Sequence, residues 1–127
     1  MSELVVKDLK AFVPALDYEI SLDFYRSLGA ETRTLTKSIS EVDFGSVRFF
    51  LQDYYVPKWA NNFVMFINVT DTQAWYEHVK QLQEEKQYPN VRFNEVRKES
   101  WGDLVVNVWD PSGVLLWFTQ SMQDGEN

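Results

Sequence analysis

Apolar and polar residues along this chain alternate with a period of two in some stretches and of three to four in others, and the switches between periods divide it into elements. Val5–Val13 predicts a strand ended by Pro14. Asp17 then suits the N-cap of a helix whose Ile20, Phe24 and Leu28 recur at every fourth position, with Gly29 placed to close it. Three strands are expected next, at Glu31–Leu35, Ile39–Phe44 and Val47–Gln52, the last two separated by Gly45 and Ser46. A loop from Asp53 to Asn61 leads into a second series of the same kind. Phe63–Val69 predicts a strand, and Asp71 caps a helix with Trp75, Val79 and Leu82 as its apolar stripe. Val91–Glu95, Leu104–Trp109 and Val114–Phe118 follow as strands, the last two joined by the turn Asp110-Pro111-Ser112-Gly113.

The order is therefore βαβββ twice, with module one at about residues 5–53 and module two at about 62–120 of a single domain covering 1–127. Each module is too small to bury both faces of its own sheet. The expected fold class is α+β, with the two βαβββ modules forming one curved eight-stranded mixed sheet and the helices on its outer face.

Composition narrows the chemistry. Hydrophobic residues make up 45% of the 127, with 5 Trp, 6 Tyr and 9 Phe, which is material for a packed core and argues against disorder. The formal net charge of −7 opposes a polyanionic partner, so no nucleic acid is expected. The absence of cysteine excludes disulfides, a thiolate nucleophile and thiolate-bound metals. The opening MSELVVKDLK carries charges within its only apolar stretch, unlike a signal peptide, and no apolar run reaches the roughly 20 residues that span a bilayer. The expectation is a soluble, cytoplasmic protein with no membrane partner.

Two groups of residues carry a family likeness. Phe12-Val13-Pro14-Ala15-Leu16-Asp17, followed by Ser21, Phe24-Tyr25 and Leu28-Gly29, resembles the opening module of the vicinal oxygen chelate superfamily, which includes glyoxalase I, extradiol dioxygenases and bleomycin-resistance proteins. Trp101-Gly102, Asp110-Pro111-Ser112-Gly113 and Leu115-Leu116 resemble its closing module. Enzymes of that superfamily hold a divalent metal with His, Gln or Glu on the first and last strands of each module. Spacing from Asp17 and Asp71, and from Gly45 and Gly113, puts Lys10, Val64, Phe49 and Trp117 at those four positions. A protonated lysine repels a cation, and the other three offer no donor atom. No metal and no cofactor is expected. His78 is the only histidine and reads as an edge-of-face helix residue, so no nucleophilic triad or dyad is available and no catalytic residue is assigned.

Strand alternation from Phe49 and Trp117 places Phe12, Val47, Leu51, Phe66, Leu115 and Thr119 on their face, and Val13, Phe50, Met65, Ile67, Val69, Leu116 and Phe118 under the helices. This predicts an aromatic cleft with Phe49 and Trp117 as floor, Phe66, Trp59 and Trp101 as walls, and Tyr54 and Tyr55 at the rim. Such a lining suits a planar or cationic ligand, with Glu41, Asp43 and Asp53 as candidate counter-charges. The resemblance is to bleomycin-resistance proteins, which lack the metal ligands and sequester a cationic drug between two subunits. It implies a metal-independent small-molecule binding protein, an antibiotic-resistance function, a bleomycin-like ligand and a homodimer. Two other readings stand beside it: an enzyme of the same superfamily with an atypical or absent metal site, using Lys10, a tyrosine or a carboxylate, and a protein-interaction module whose aromatic face receives another chain.

Overall fold

The computed structural model describes residues 3–121. Module one comprises β1 (Phe12–Pro14), α1 (Tyr18–Ser27), β2 (Glu31–Thr36), β3 (Ile39–Asp43) and β4 (Arg48–Gln52). After α2 (Pro57–Asn62), module two comprises β5 (Val64–Asn68), α3 (Thr72–Lys86), β6 (Arg92–Phe93), β7 (Arg97–Lys98), β8 (Leu104–Trp109) and β9 (Leu115–Gln120). Both expected helix starts are present: the Asp17 carboxylate accepts from Ile20 N and that of Asp71 from Ala74 N, each satisfying an otherwise free amide of the first turn. Gly29 follows α1 at a φ of +109°, a conformation open to glycine.

The fold is α+β, and its ladders form two mixed sheets where the sequence predicts one of eight strands. A four-stranded sheet runs β1-β4-β3-β2, and a five-stranded sheet runs β5-β9-β8-β6 with β7 also paired to β8. The first strand of each module lies parallel to the last, Phe12 beside Phe50 in one and Phe66 beside Trp117 in the other. The inner faces of both sheets share one hydrophobic core with the helices: Val13, Val42, Phe49 and Leu51 from module one, Val106, Val108, Leu116 and Phe118 from module two, and Phe24, Tyr25 and Val79 from α1 and α3.

Three elements depart from the sequence expectation. The strand expected over Val5–Val13 shrinks to β1, and Leu4, Val5, Val6 and Leu9 are exposed on the arm before it. Extending the parallel ladder by two residues would set Lys10 beside Arg48, a like-charge pair, and before Arg48 the chain turns back toward β3. The strand expected over Val91–Glu95 shortens to β6, and a further short strand not expected from the sequence, β7, follows it, each held to β8. The loop over 53–61 contains α2, which starts at Pro57, where a missing N–H costs the helix nothing.

The modules are stitched together through the β8–β9 turn. Ser112 Oγ accepts from Leu16 N at 2.8 Å and lies 3.1 Å from Ser21 Oγ, and the Tyr25 hydroxyl donates to Asp110 at 2.6 Å. Asp110 is fully buried and also accepts from Ser112 N and Val114 N. Burial outweighs these bonds and raises its carboxyl to about pKa 6, while burial and the Asp110 charge push the Tyr25 hydroxyl up.

Candidate functional site

Each sheet turns one face to the core and the other outward, and residues paired across strands share a face. In module two the outward row is Phe66, Trp117 and Asn107, one residue from each of β5, β9 and β8. Phe66 is 68% exposed, Trp117 is half-buried, and Asn107 is buried at 8% exposure. In module one the matching row is Phe12, Phe50 and Glu41, continued by Arg33 on β2. Phe12 and Phe50 lie with ring centres 5.1 Å apart.

This matching moves one expected site residue. Phe49 does not lie with Trp117: it is buried against Tyr25 of α1, ring centres 5.2 Å apart in an edge-on arrangement. Phe50, expected in the core, takes the outward place. Counting from the turn glycine misleads here because the turns differ. Phe44–Val47 joins β3 to β4, whereas residues 110–114 join β8 to β9, so Gly45 stands three residues before β4 and Gly113 two before β9. A one-residue slip reverses the face of every side chain on a strand. Leu51 accordingly lies in the core as well, while the faces expected for Met65, Ile67, Val69, Leu116 and Phe118 match the core of module two.

Phe66 and Trp117 are thus brought together, and Trp59 and Trp101 are exposed with local partners of their own. Trp59, on α2, meets Tyr54 with ring centres 5.7 Å apart, and Trp101 Nε1 donates to Asp103 at 3.1 Å.

A cation of the chain sits over each aromatic platform. Lys10 Nζ is 5.6 Å from the centre of the Phe50 ring, and the Arg97 guanidinium is 5.3 Å from that of Trp117. Lys10 and Arg33 also pair with Glu41, at 3.7 and 3.4 Å, and Arg48 pairs with Asp43 at 3.2 Å. Two of the acidic groups considered for a cationic ligand are therefore matched internally. Arg97 turns instead to Glu99, at 2.6 Å. Asn107, in the place of Glu41, has its side-chain carbonyl buried with no hydrogen-bond partner. Strand alternation does not single out Asn107, whose signal in the sequence is one amide inside the apolar run Leu104–Trp109.

Among the described residues no group of three or more His, Asp or Glu is arranged to hold a metal ion. His78 Nε2 donates to the Ser27 carbonyl at 2.7 Å, tying α3 to the end of α1, which agrees with a structural role. The concavities bounded by Leu28, Ala74, Trp75 and His78, and by Ile20, Asp23, Lys86 and Tyr88, lie on the helix side, away from the aromatic rows. In the second, the Tyr88 hydroxyl donates to Asp23 at 2.7 Å and holds that carboxyl below its usual range. Among the described residues no helix is long and apolar enough to cross a membrane.

No protein-family model matches the sequence, and no curated protein matches it. Solved structures do match in shape. A bleomycin-binding protein complexed with bleomycin superposes with a TM-score of 0.75 at 19% identity, covering 91% of this chain and 99% of that one. The bleomycin-binding protein from bleomycin-producing Streptomyces verticillus, complexed with copper(II)-bleomycin, gives 0.73 at 23% identity over 92% and 99% of the two chains. A lactoylglutathione lyase from Agrobacterium tumefaciens gives 0.66 at 13% identity over 94% and 97%. The chain shares its fold with these bleomycin-binding proteins and with the lyase.

Proposed function

We propose that this chain is a metal-independent small-molecule-binding protein of the glyoxalase and bleomycin-resistance type, acting in the cytoplasm by sequestration, with a planar, drug-like ligand stacked on the outward aromatic rows. The observation that carries this reading is the Phe66–Trp117 row, neighbouring aromatic residues on the outward face of the second sheet, with Phe66 exposed and Trp117 half-buried beside the Arg97 guanidinium. Stacking needs no catalytic group. Solved bleomycin complexes of the same fold make bleomycin the first probe to use.

A homodimer belongs to the same proposal. Each chain presents two open half-sites on separately bonded sheets, and its exposed Leu4, Val5, Val6, Leu9 and Phe12 are apolar surface for a second copy to cover. Closing two half-sites against each other would complete the curved, cup-like surface that one chain leaves divided. Trp59 and Trp101 would stand at its margins.

Bleomycin should quench tryptophan emission saturably. Replacing Trp117 with alanine should weaken binding by about 1–3 kcal/mol, the stacking range for an aromatic platform, with the melting temperature little changed. A folded Trp117→Ala protein with unaltered affinity would remove the platform from the site.

A further inference from the structure

We infer that Asn107 determines the specificity of the module-two half-site, and that the ligand it selects is a flat, uncharged ring carrying an N–H donor, an amide or an aromatic amine, at its edge. The inference rests on the reading of the outward row as a ligand platform. Leaving a buried acceptor unpaired is costly, and proteins seldom do it without a reason. The contrast with the other buried polar residues is plain. Ser21, Thr72, Asp110, Ser112 and Thr119 all have hydrogen-bond partners. Asn107 Oδ1 has none, although the residue is held at both ends of its peptide: Asn107 N donates to Asn94 Oδ1 at 3.3 Å, and Asn94 N donates to the Asn107 carbonyl at 3.2 Å.

Position tells what the missing partner is. Asn107 sits one strand from Trp117, about 4.8 Å in the ladder direction, so a ring lying on the indole brings its edge substituent toward the amide. Module one shows the same ladder position satisfied by donors of the chain, Lys10 and Arg33 on Glu41. In module two the corresponding cation, Arg97, pairs with Glu99 at 2.6 Å, its guanidinium 5.3 Å from the centre of the Trp117 ring. A donor brought by a ligand would complete the amide, and a second positive charge there would meet Arg97. A neutral N–H group meets no such repulsion.

The experiment compares benzamide with methyl benzoate, two rings of similar shape of which the first alone carries N–H donors. Binding is followed through the Trp117 indole resonance, assigned with Trp117→Phe. The wild-type chain should prefer benzamide by about tenfold, the scale of one hydrogen bond to an otherwise unpaired group. Asn107→Leu should bind methyl benzoate as the wild type does, lose the preference, and melt at a higher temperature because an orphaned acceptor has been replaced by an apolar side chain. A lowered melting temperature would make the amide a structural group and overturn the inference. So would a preference that survives Asn107→Leu. If both probes move Trp117 equally in the wild type, Asn107 loses its role while the platform stands; if neither moves it, the platform reading falls too. Should Asn107→Leu keep the probe preference but shift sedimentation from dimer to monomer, the acceptor serves the backbone of a second copy and the inference fails.

Discussion

In module one the buried polar member of the outward row is Glu41, an anion between Lys10 and Arg33; in module two the same ladder position holds Asn107, a neutral amide with an unpaired carbonyl. The backbone plan is shared, each row running from the first strand through the last to the third, with a cation of the chain over the aromatic ring. One row is electrostatically complete and the other is short of a donor. Duplicated geometry thus does not imply duplicated chemistry.

The sharpest way to break this comparison is to test the face assignment on which it depends. Phe49→Ala should cost about 3–5 kcal/mol of folding stability, as expected for a core aromatic packed on Tyr25. Phe50→Ala should cost roughly 1 kcal/mol, since it trims a half-buried ring between Phe12 and Lys10. Urea unfolding of the two variants decides it, and the reverse order would turn β4 over and dissolve the matching of the rows.

The turns offer a second contrast. Phe44 N bonds Val47 O in module one, while Asp110 N bonds Val114 O in module two, so the apolar Phe44 stands where module two carries a buried acid. With the Asp110 carboxyl at about 6 in the folded chain against 3.8 as its ordinary value, the folded state binds more protons between those limits. For this group stability is full below about pH 4 and falls as pH rises through 6, by on the order of 2–3 kcal/mol. Asp110→Asn should flatten the dependence of melting temperature on pH over that window. An unchanged slope would assign the titration elsewhere.

A further contrast concerns Glu41. Glu41→Leu should lower stability by about 1–2 kcal/mol, because Lys10 and Arg33 lose their counter-charge yet both retain access to solvent, at 22% and 67% side-chain exposure. Set beside the rise expected for Asn107→Leu, the sign is what matters. If both leucine variants raise the melting temperature, the two rows are equally unfinished and the difference between modules disappears.

How far the sequence reaches can be seen strand by strand. In β5 and β9 the unbroken apolar runs Val64–Ile67 and Leu115–Phe118 carry no alternation, and counting from Asp71 and Gly113 puts Phe66 and Trp117 on the face they take. In β4 three consecutive apolar residues, Phe49, Phe50 and Leu51, leave the period silent, and the choice passes to turn length, which differs between modules. The arm at residues 3–11 is apolar enough for a strand but lacks a neighbour, a tertiary condition that alternation does not encode. Glu41 was visible as a charge and its partners were not, because Lys10 and Arg33 reach it from separate segments.

The stitching of α1 to the β8–β9 turn bears on how the chain matures. Tyr25 waits for Asp110, 85 residues later, and Leu16 for Ser112, 96 residues later. During synthesis from the N-terminus, α1 and the first sheet emerge while the groups that secure them are still untranslated. Such distant closures slow folding, and partly built sheets expose strand edges and apolar surface meanwhile. Until residues 110–112 are made, α1 has none of the bonds to Asp110 and Ser112 to close on. Truncation anywhere before that turn leaves the helix without its anchor, so the repeat visible in the sequence does not yield two independently inheritable units.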